Sequence, residues 1–418
     1  MDSTANLRNE RPHWICCQIG AREHYAIPRA MLGRGSDVTL LTDVWSTDGC
    51  RWLLPQKWKQ RCHPDIPDRC VRGWTFESLL RSVRSRLAGR SGWKEILERN
   101  EWFQRRASAV VEEICRTASH PPVVFSYSYS AREIFRTAKR HGCTTILGQM
   151  DPAEVEVDLV RQIEERHGTG RSEWPPGSYW DHWHEECELA DHIVVNSEWS
   201  RSALLQQQID EPKIKVISLA YEKPSSSATL PDLPVRFTAE RPLRILFLGQ
   251  VILRKGIAEL AAAAEQLHNH PVHWHIVGSG APDLLMQLSG IPSVSVAGQI
   301  SRAEVRQEYE RADVFILPTH SDGFALTQLE AAAYGLPIIA SQRCGDVVDD
   351  GQNGLILSNV SAEAIVSAVH QFLEAPELVA RLRANQMSRK LFDIDMLGRS
   401  LETLDAETNN GGVTPCST

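Results

Sequence analysis

The chain has 418 residues, 42% apolar and 23% charged, with a formal net charge of −8. That length allows two or three domains, each able to bury a real core, and the acidic balance argues against general nucleic-acid binding. Residues 1–11 are polar and no uninterrupted apolar run approaches about twenty residues, so the sequence predicts no signal peptide, no membrane-spanning helix and a cytoplasmic protein. Ten cysteines are scattered without a C-x-x-C pair, which predicts reduced, mostly buried thiols.

His13–Ile19 reads as a first strand ending at Gly20, followed by an amphipathic helix over Ala21–Leu32 and a second strand over Val38–Thr42. This unit is not a dinucleotide fingerprint, because Gly20 lacks the second and third glycine of that pattern. Residues 45–106 change character. They hold six of the twelve tryptophans, and residues 51–106 carry fourteen Lys or Arg against six Asp or Glu. Helices are expected over Thr75–Leu87 and Trp93–Ala107. The region reads either as a surface for an anionic membrane or polyanionic acceptor, or as a solvated basic face with its tryptophans turned inward. Cys50, Cys62, His63 and Cys70 fit no standard zinc spacing.

From Pro122 a strand–helix rhythm returns: strand Val123–Ser126, helix Ala131–His141, strand Thr144–Gln149, then Asp151. His182, His184, Glu185 and Cys187 do not fall on one helical face, so Trp174–Asp191 reads as an amphipathic helix rather than a metal site. Strand His192–Asn196 leads into a helix capped by Ser197. The Pro- and Ser-rich run Lys223–Arg241 reads as a linker.

A second sheet begins at Leu243–Leu248. Gly249–Gly256 turns into a helix with the apolar stripe Ile257, Leu260, Ala261, Ala264 and Leu267. Arg254 and Lys255 therefore sit at a helix N-terminus, where cations oppose the macrodipole and predict a bound anion. His273–Val277 ends at Gly278, and Val294–Ala297 ends at Gly298 and Gln299. Strand Val314–Leu317 is followed by a turn at Ser321, Asp322 and Gly323, then a helix from near Phe324, through Ala325 and Leu326, to Gly335, a good C-terminal cap. That helix's N-terminus suits a phosphate. Asp322 and Glu330 frame it, separated by at most about 12 Å. Glu330 stands among Leu329 and Ala331–Ala333, and a carboxylate on so apolar a helix needs hydrogen-bond partners, which sugar hydroxyls would supply. The plainer reading makes Asp322 a helix cap and leaves Glu330 facing water.

Two acidic residues with seven between, an Ala-rich helix, then Gly335, Pro337 and a strand resemble the signature of family 4 glycosyltransferases. The first acid is Asp322 here rather than the usual Glu. The resemblance covers about residues 12–405 and is specific from 243 to 356. It implies an α/β chain of GT-B fold, two Rossmann-like doubly wound domains facing a cleft. The implied boundaries are 1–222 for the acceptor-side domain, 223–241 for the linker and 242–390 for the donor-side domain, with a helix crossing back over 391–408 and a tail over 409–418.

The implied activity is transfer of a hexose from a nucleotide-diphosphate sugar to an acceptor hydroxyl with retention of configuration. The donor is a co-substrate and no further cofactor is implied. The acceptor is left open as a glycan, a lipid or a small molecule. Lys255, with Arg254, would stabilise the leaving diphosphate, Asp322 would hold the sugar and Glu330 the ribose. The loops at Gly20, Gly249, Gly278 and Gln299, and the backbone of Gly323, Phe324, Ala325 and Leu326, would line the donor. The family's basic pair is incomplete, because Gln250 occupies the place of its first Arg. Metal is expected to be dispensable: the only D-x-D, Asp393 to Asp395, lies near the C-terminus, where helix capping explains it. A nucleotide-sugar epimerase or hydrolase, and a non-catalytic nucleotide-sugar binder, are the competing expectations.

Overall fold

The computed structural model describes residues 11–49, 51–170, 172–221, 230–388 and 392–411. Two wholly parallel sheets carry the fold. The first contains β1 (Trp14–Gln18), β2 (Val38–Thr42), β3 (Val71–Gly73), β4 (Val123–Tyr127), β5 (Thr144–Gly148), β6 (His192–Val195) and β7 (Ile214–Val216), in the spatial order β3-β2-β1-β4-β5-β6-β7. The second contains β8 (Leu243–Leu248), β9 (Val272–Val277), β10 (Val294–Gly298), β11 (Val314–Leu317), β12 (Ile338–Ala340) and β13 (Gly354–Ile356), in the order β10-β9-β8-β11-β12-β13.

The central strands are apolar throughout because both faces of a parallel sheet are covered by helices. In β1, Ile15 and Cys17 enter one core with Phe103, Ala107 and Val111 of helix Gly92–Thr117. Trp14 and Cys16 enter the opposite core with Leu397, Leu401 and Leu404 of helix Ile394–Gly411. That last helix is tied to the first sheet's side by Arg34 to Asp395 at 2.8 Å and His192 to Thr408 at 2.7 Å.

In each sheet the strand order reverses once, between β1 and β4 and between β8 and β11. The crevice outside the C-terminal ends of such a strand pair is where open α/β sheets bind ligands. The fold therefore offers two such places. One lies at Ile19–Glu23 and Ser128–Ser130, the other at Gly249–Lys255 and Pro318–Gly323.

Three local expectations differ from the structure, and one strand, β3, was not expected. Arg22–Tyr25 is not part of an amphipathic helix: Glu23, His24 and Tyr25 have φ of 48°, 53° and 61°, and the right-handed helix starts only at Ala26. Left-handed L-residues cost about 1–2 kcal/mol each, and Tyr25 is fixed there by burial against Trp45, ring centroids 5.3 Å apart. The helix expected over Trp93–Ala107 runs on to Thr117. The three-residue edge strand β3 carries no alternation long enough to read. The helix expected from Phe324 starts at Leu326, because Ala325 is extended and the Gly323 carbonyl is taken by Ser197. Of the expected linker, residues 222–229 lie outside the described residues. So do Cys50 and, in the expected tail, residues 412–418.

Candidate functional site

The second sheet's switch point is assembled from both domains. After β8 the chain makes a short 3-10 turn, Leu253–Lys255, and Gly256 at φ 70° opens helix Ile257–Gln266. A Cβ on Gly256 would stand 1.9 Å from the Pro318 carbonyl oxygen, so only glycine brings this turn against the end of β11. The basic pair is thus presented on the turn before the helix. The anion its charge demands is partly supplied by the protein. Lys255 is buried and its ammonium contacts Asp322 Oδ2. The Arg254 guanidinium donates to the Ser321 carbonyl at 2.6 Å and reaches Glu156 Oε2 at 3.4 Å.

Glu156 belongs to helix Glu154–Arg166 of the first domain, and nothing in the sequence singled it out. Its Oε2 also accepts from the Ser321 hydroxyl at 2.7 Å. Burial pushes its carboxyl up to about 7, against the pull of Arg254. Three further first-domain residues grip the same turn: Ser197 Oγ donates to the Gly323 carbonyl at 2.7 Å, Ser200 Oγ does so at 3.4 Å, and Trp199 Nε1 donates to Ser321 Oγ at 3.0 Å. Gly323 itself lies against Met150 and Asp151, with its Cβ position 2.3 Å from the Met150 carbonyl oxygen. The signal that could have found these partners was weak, namely small hydroxyl residues at the start of a helix.

Arg254, Lys255, Asp322 and Gly323 therefore come together in one cluster. Phe324 and Ala325 are buried behind it, and Ala325 N–H is taken by the Cys344 carbonyl at 3.2 Å. Glu330 lies further along that helix, half-buried, accepting from the Tyr309 hydroxyl at 2.8 Å. Gly249 and Gly278 meet where β8 and β9 end: Gly278 N–H donates to the Gly298 carbonyl at 2.8 Å, and a Cβ on it would stand 1.7 Å from the Gly249 oxygen. Gln299 follows as an exposed residue. Gly20 lies at the other switch point, donating to Asp43 Oδ1 at 2.8 Å and packed on Arg61.

Glu156 carries a sign that can be tested. Its folded carboxyl near 7 keeps a proton that an unfolded chain, near 4.5, has already lost, so its contribution to stability falls as pH rises between those values. Glu156→Gln is neutral throughout. Relative to wild type it should gain about 2 kcal/mol between pH 5 and pH 8. Urea melts of both proteins across that range measure it, and a difference that stays flat with pH contradicts it.

Comparison with known proteins agrees with this layout. A family model described as glycosyl transferases group 1 matches residues 242–375, which span the second sheet and the whole cluster contributed by it. The glycogen synthase of Mycobacterium tuberculosis is 28% identical over 172 residues, 38% of this chain and 42% of that protein, so the matched stretch is under half of the relative's length. Two solved structures share the fold. Sucrose-phosphate synthase from Thermosynechococcus elongatus has a TM-score of 0.66 at 16% identity, covering 96% of this chain and all of that one. The HepE protein of Anabaena in complex with UDP has a TM-score of 0.61 at 13% identity, again covering 96% of this chain and all of that one. Residues 242–375 therefore match the group 1 glycosyltransferases, and the chain as a whole has the two-sheet α/β fold of these GT-B structures.

Proposed function

We propose that the protein transfers a hexose from a nucleotide-diphosphate sugar to an acceptor hydroxyl, with retention of configuration and without a metal ion. The observation that carries this reading is the contact of buried Lys255 with half-buried Asp322 at the second sheet's switch point, with Glu330 further along the helix that starts beside it. A dissected carbohydrate donor needs a cation for its diphosphate, an acceptor oxygen for its sugar hydroxyls and another for its ribose. Lys255, Asp322 and Glu330 take those three roles in that order. The UDP held by a protein of the same fold supports a nucleotide-sugar donor.

In the reaction, the bond from the anomeric carbon to the diphosphate breaks and a bond to the acceptor oxygen forms. The acceptor's proton leaves with the diphosphate, and retention requires both oxygens to use the same face of the sugar. Negative charge grows on the diphosphate as it departs. Lys255 and Arg254, already fixed by Asp322 and Glu156, need little reorganisation to meet it, which is electrostatic stabilisation of the transition state. These charges supply what a metal would otherwise provide. Product analysis with and without acceptor separates transfer from epimerisation or hydrolysis. Donor binding without turnover would favour a non-catalytic relative.

Lys255→Ala should lower kcat by about 10²–10³, the scale of one preorganised electrostatic contact, with a smaller loss of donor affinity. EDTA should leave wild-type turnover intact. Steady-state transfer, using the nucleotide sugar found by a thermal-shift screen, measures both. Wild-type kcat in the variant, or arrest by EDTA, contradicts the mechanism.

A second surface supports peripheral contact with an anionic membrane. Helix Thr75–Leu87 turns Phe76, Leu80, Val83 and Leu87 to solvent, 71%, 41%, 48% and 84% exposed, and their spacing puts them on one face. Arg84 and Arg86 stand exposed on the same helix, so an apolar stripe edged with cations faces outward, as an anionic lipid surface requires. Trp52 and Leu53 are exposed in the same basic region. The protein should sediment with phosphatidylglycerol vesicles at low salt, and high salt should weaken this. Leu80→Asp with Leu87→Asp should abolish it. Equal sedimentation with neutral vesicles would leave only a solvated basic face.

A further inference from the structure

The first sheet's switch point holds a pocket of about 140 Å³ lined by none of the residues assigned to the donor, although Gly20 stands between its Ile19 and Arg22. Its walls come from the loops after β1, β4 and β5 and from two helices of the same domain. Tyr129 and Tyr179 stack with ring centroids 4.7 Å apart at 20°, and Trp93 meets Tyr179 edge-on at 5.0 Å. The platform is rigidly held. Tyr129 has φ 71°, a strained conformation for a tyrosine. It is fixed by the buried Glu186 carboxylate, which accepts Tyr129 N–H at 2.6 Å and Ala131 N–H at 2.7 Å. The Tyr129 hydroxyl donates to Asp151 and accepts from Gln149 Nε2 at 3.1 Å.

Two arginines line this pocket, Arg22 from the loop after β1 and Arg99 from helix Gly92–Thr117. Among the described residues neither makes a hydrogen bond or ion pair, whereas the nearby carboxylates Asp151 and Glu186 are engaged inward by the groups just named. Glu23, next to Arg22, has its carboxyl pushed up to about 7 by burial, which weakens one of the two negative charges, with Asp151, that act on Arg22. The pocket also adjoins the donor cluster, because Met150 in its wall is the residue whose carbonyl lies against Gly323.

We propose that this pocket receives the acceptor, and that the acceptor is an anionic carbohydrate. Its ring lies on the aromatic platform and its carboxylate or phosphate is held by Arg22 and Arg99. A flat, amphipathic ring matches stacked aromatic faces, and planar guanidinium forks match either anion. Both guanidiniums are exposed, so a neutral sugar would leave them facing water and gain nothing from them. The proposal rests on the glycosyltransferase reading of the neighbouring cluster.

The test uses two matched pairs of probes, glucuronate against glucose and glucose 6-phosphate against glucose, titrated by calorimetry into the full-length protein saturated with UDP. At least one anionic member should bind about tenfold or more tighter than glucose, the scale of a charge-assisted contact, and the better of the two identifies the anion. Arg22→Gln and Arg99→Gln should each reduce the preference, and together remove it. Trp93→Ala should weaken glucose and its anionic partner alike. A UDP thermal shift on every variant verifies folding and an intact donor site. Where wild type shows no UDP shift, the nucleoside diphosphate of the donor found by the thermal-shift screen replaces UDP throughout; a screen with no responding nucleotide counts against the transferase reading, and the pocket's anion preference is then judged by titration without nucleotide. Equal binding of charged and neutral probes, binding of none of them, or a preference that survives the double substitution overturns the proposal.

Discussion

Gly323 has no room for a side chain, and the rest of the site follows from that. Its Cβ position falls on the Met150 carbonyl oxygen of the first domain, while its own carbonyl accepts from Ser197. One glycine thus lets the turn after β11 sit directly on the loop after β5. Everything that the second sheet presents at its switch point is brought to the first domain by this contact: Asp322 beside it, Lys255 through Asp322, and Arg254 through the Ser321 carbonyl. Glu156 reaches across to the same turn and gathers the Ser321 hydroxyl and the Arg254 guanidinium on one oxygen.

The charges in this cluster are balanced in a particular way. Each cation that the proposed reaction assigns to the diphosphate already faces a carboxylate of the protein. Burying such pairs is costly in desolvation and seldom justified by stability alone. Here the pairing keeps Lys255 and Arg254 in place with little freedom left to lose. A diphosphate entering the cleft would share or replace those carboxylates rather than order two loose side chains. The elevated carboxyl of Glu156 fits this arrangement, since a proton there frees Arg254 toward an incoming anion.

Much of the second domain was legible in the sequence because its signals are local. β8 and β11 are short apolar runs, the helix after Gly256 has an unbroken apolar stripe, and Gly335 caps the helix that holds Glu330. The same locality let Lys255 and Asp322 be singled out, although their contact spans 67 residues. What stayed hidden depends on distant partners. Glu156 bonds to Arg254 and Ser321, 98 and 165 residues away, and on its own helix it is one acid among several. The left-handed run Glu23, His24 and Tyr25 violates local preference and is fixed by Trp45, and Tyr129 is likewise fixed by Glu186. Sequence periodicity predicts the favoured backbone, so residues forced out of it by packing are the ones it misses. The basic pair at a helix start demands an anion, and the structure meets part of that demand with its own carboxylates.

The Gly323 contact holds the Lys255–Asp322 cluster against the first domain, and Gly323→Ala asks whether the proposed transfer depends on it. A methyl group there cannot coexist with the Met150 carbonyl, so the turn must lift from the first domain while the second sheet's own contacts persist. Misplacement of reacting groups by an ångström costs about 10²-fold in rate. With UDP affinity and transfer turnover measured on the same preparation, kcat should fall by about that factor while UDP still binds. Turnover undiminished in a folded Gly323→Ala protein would contradict it.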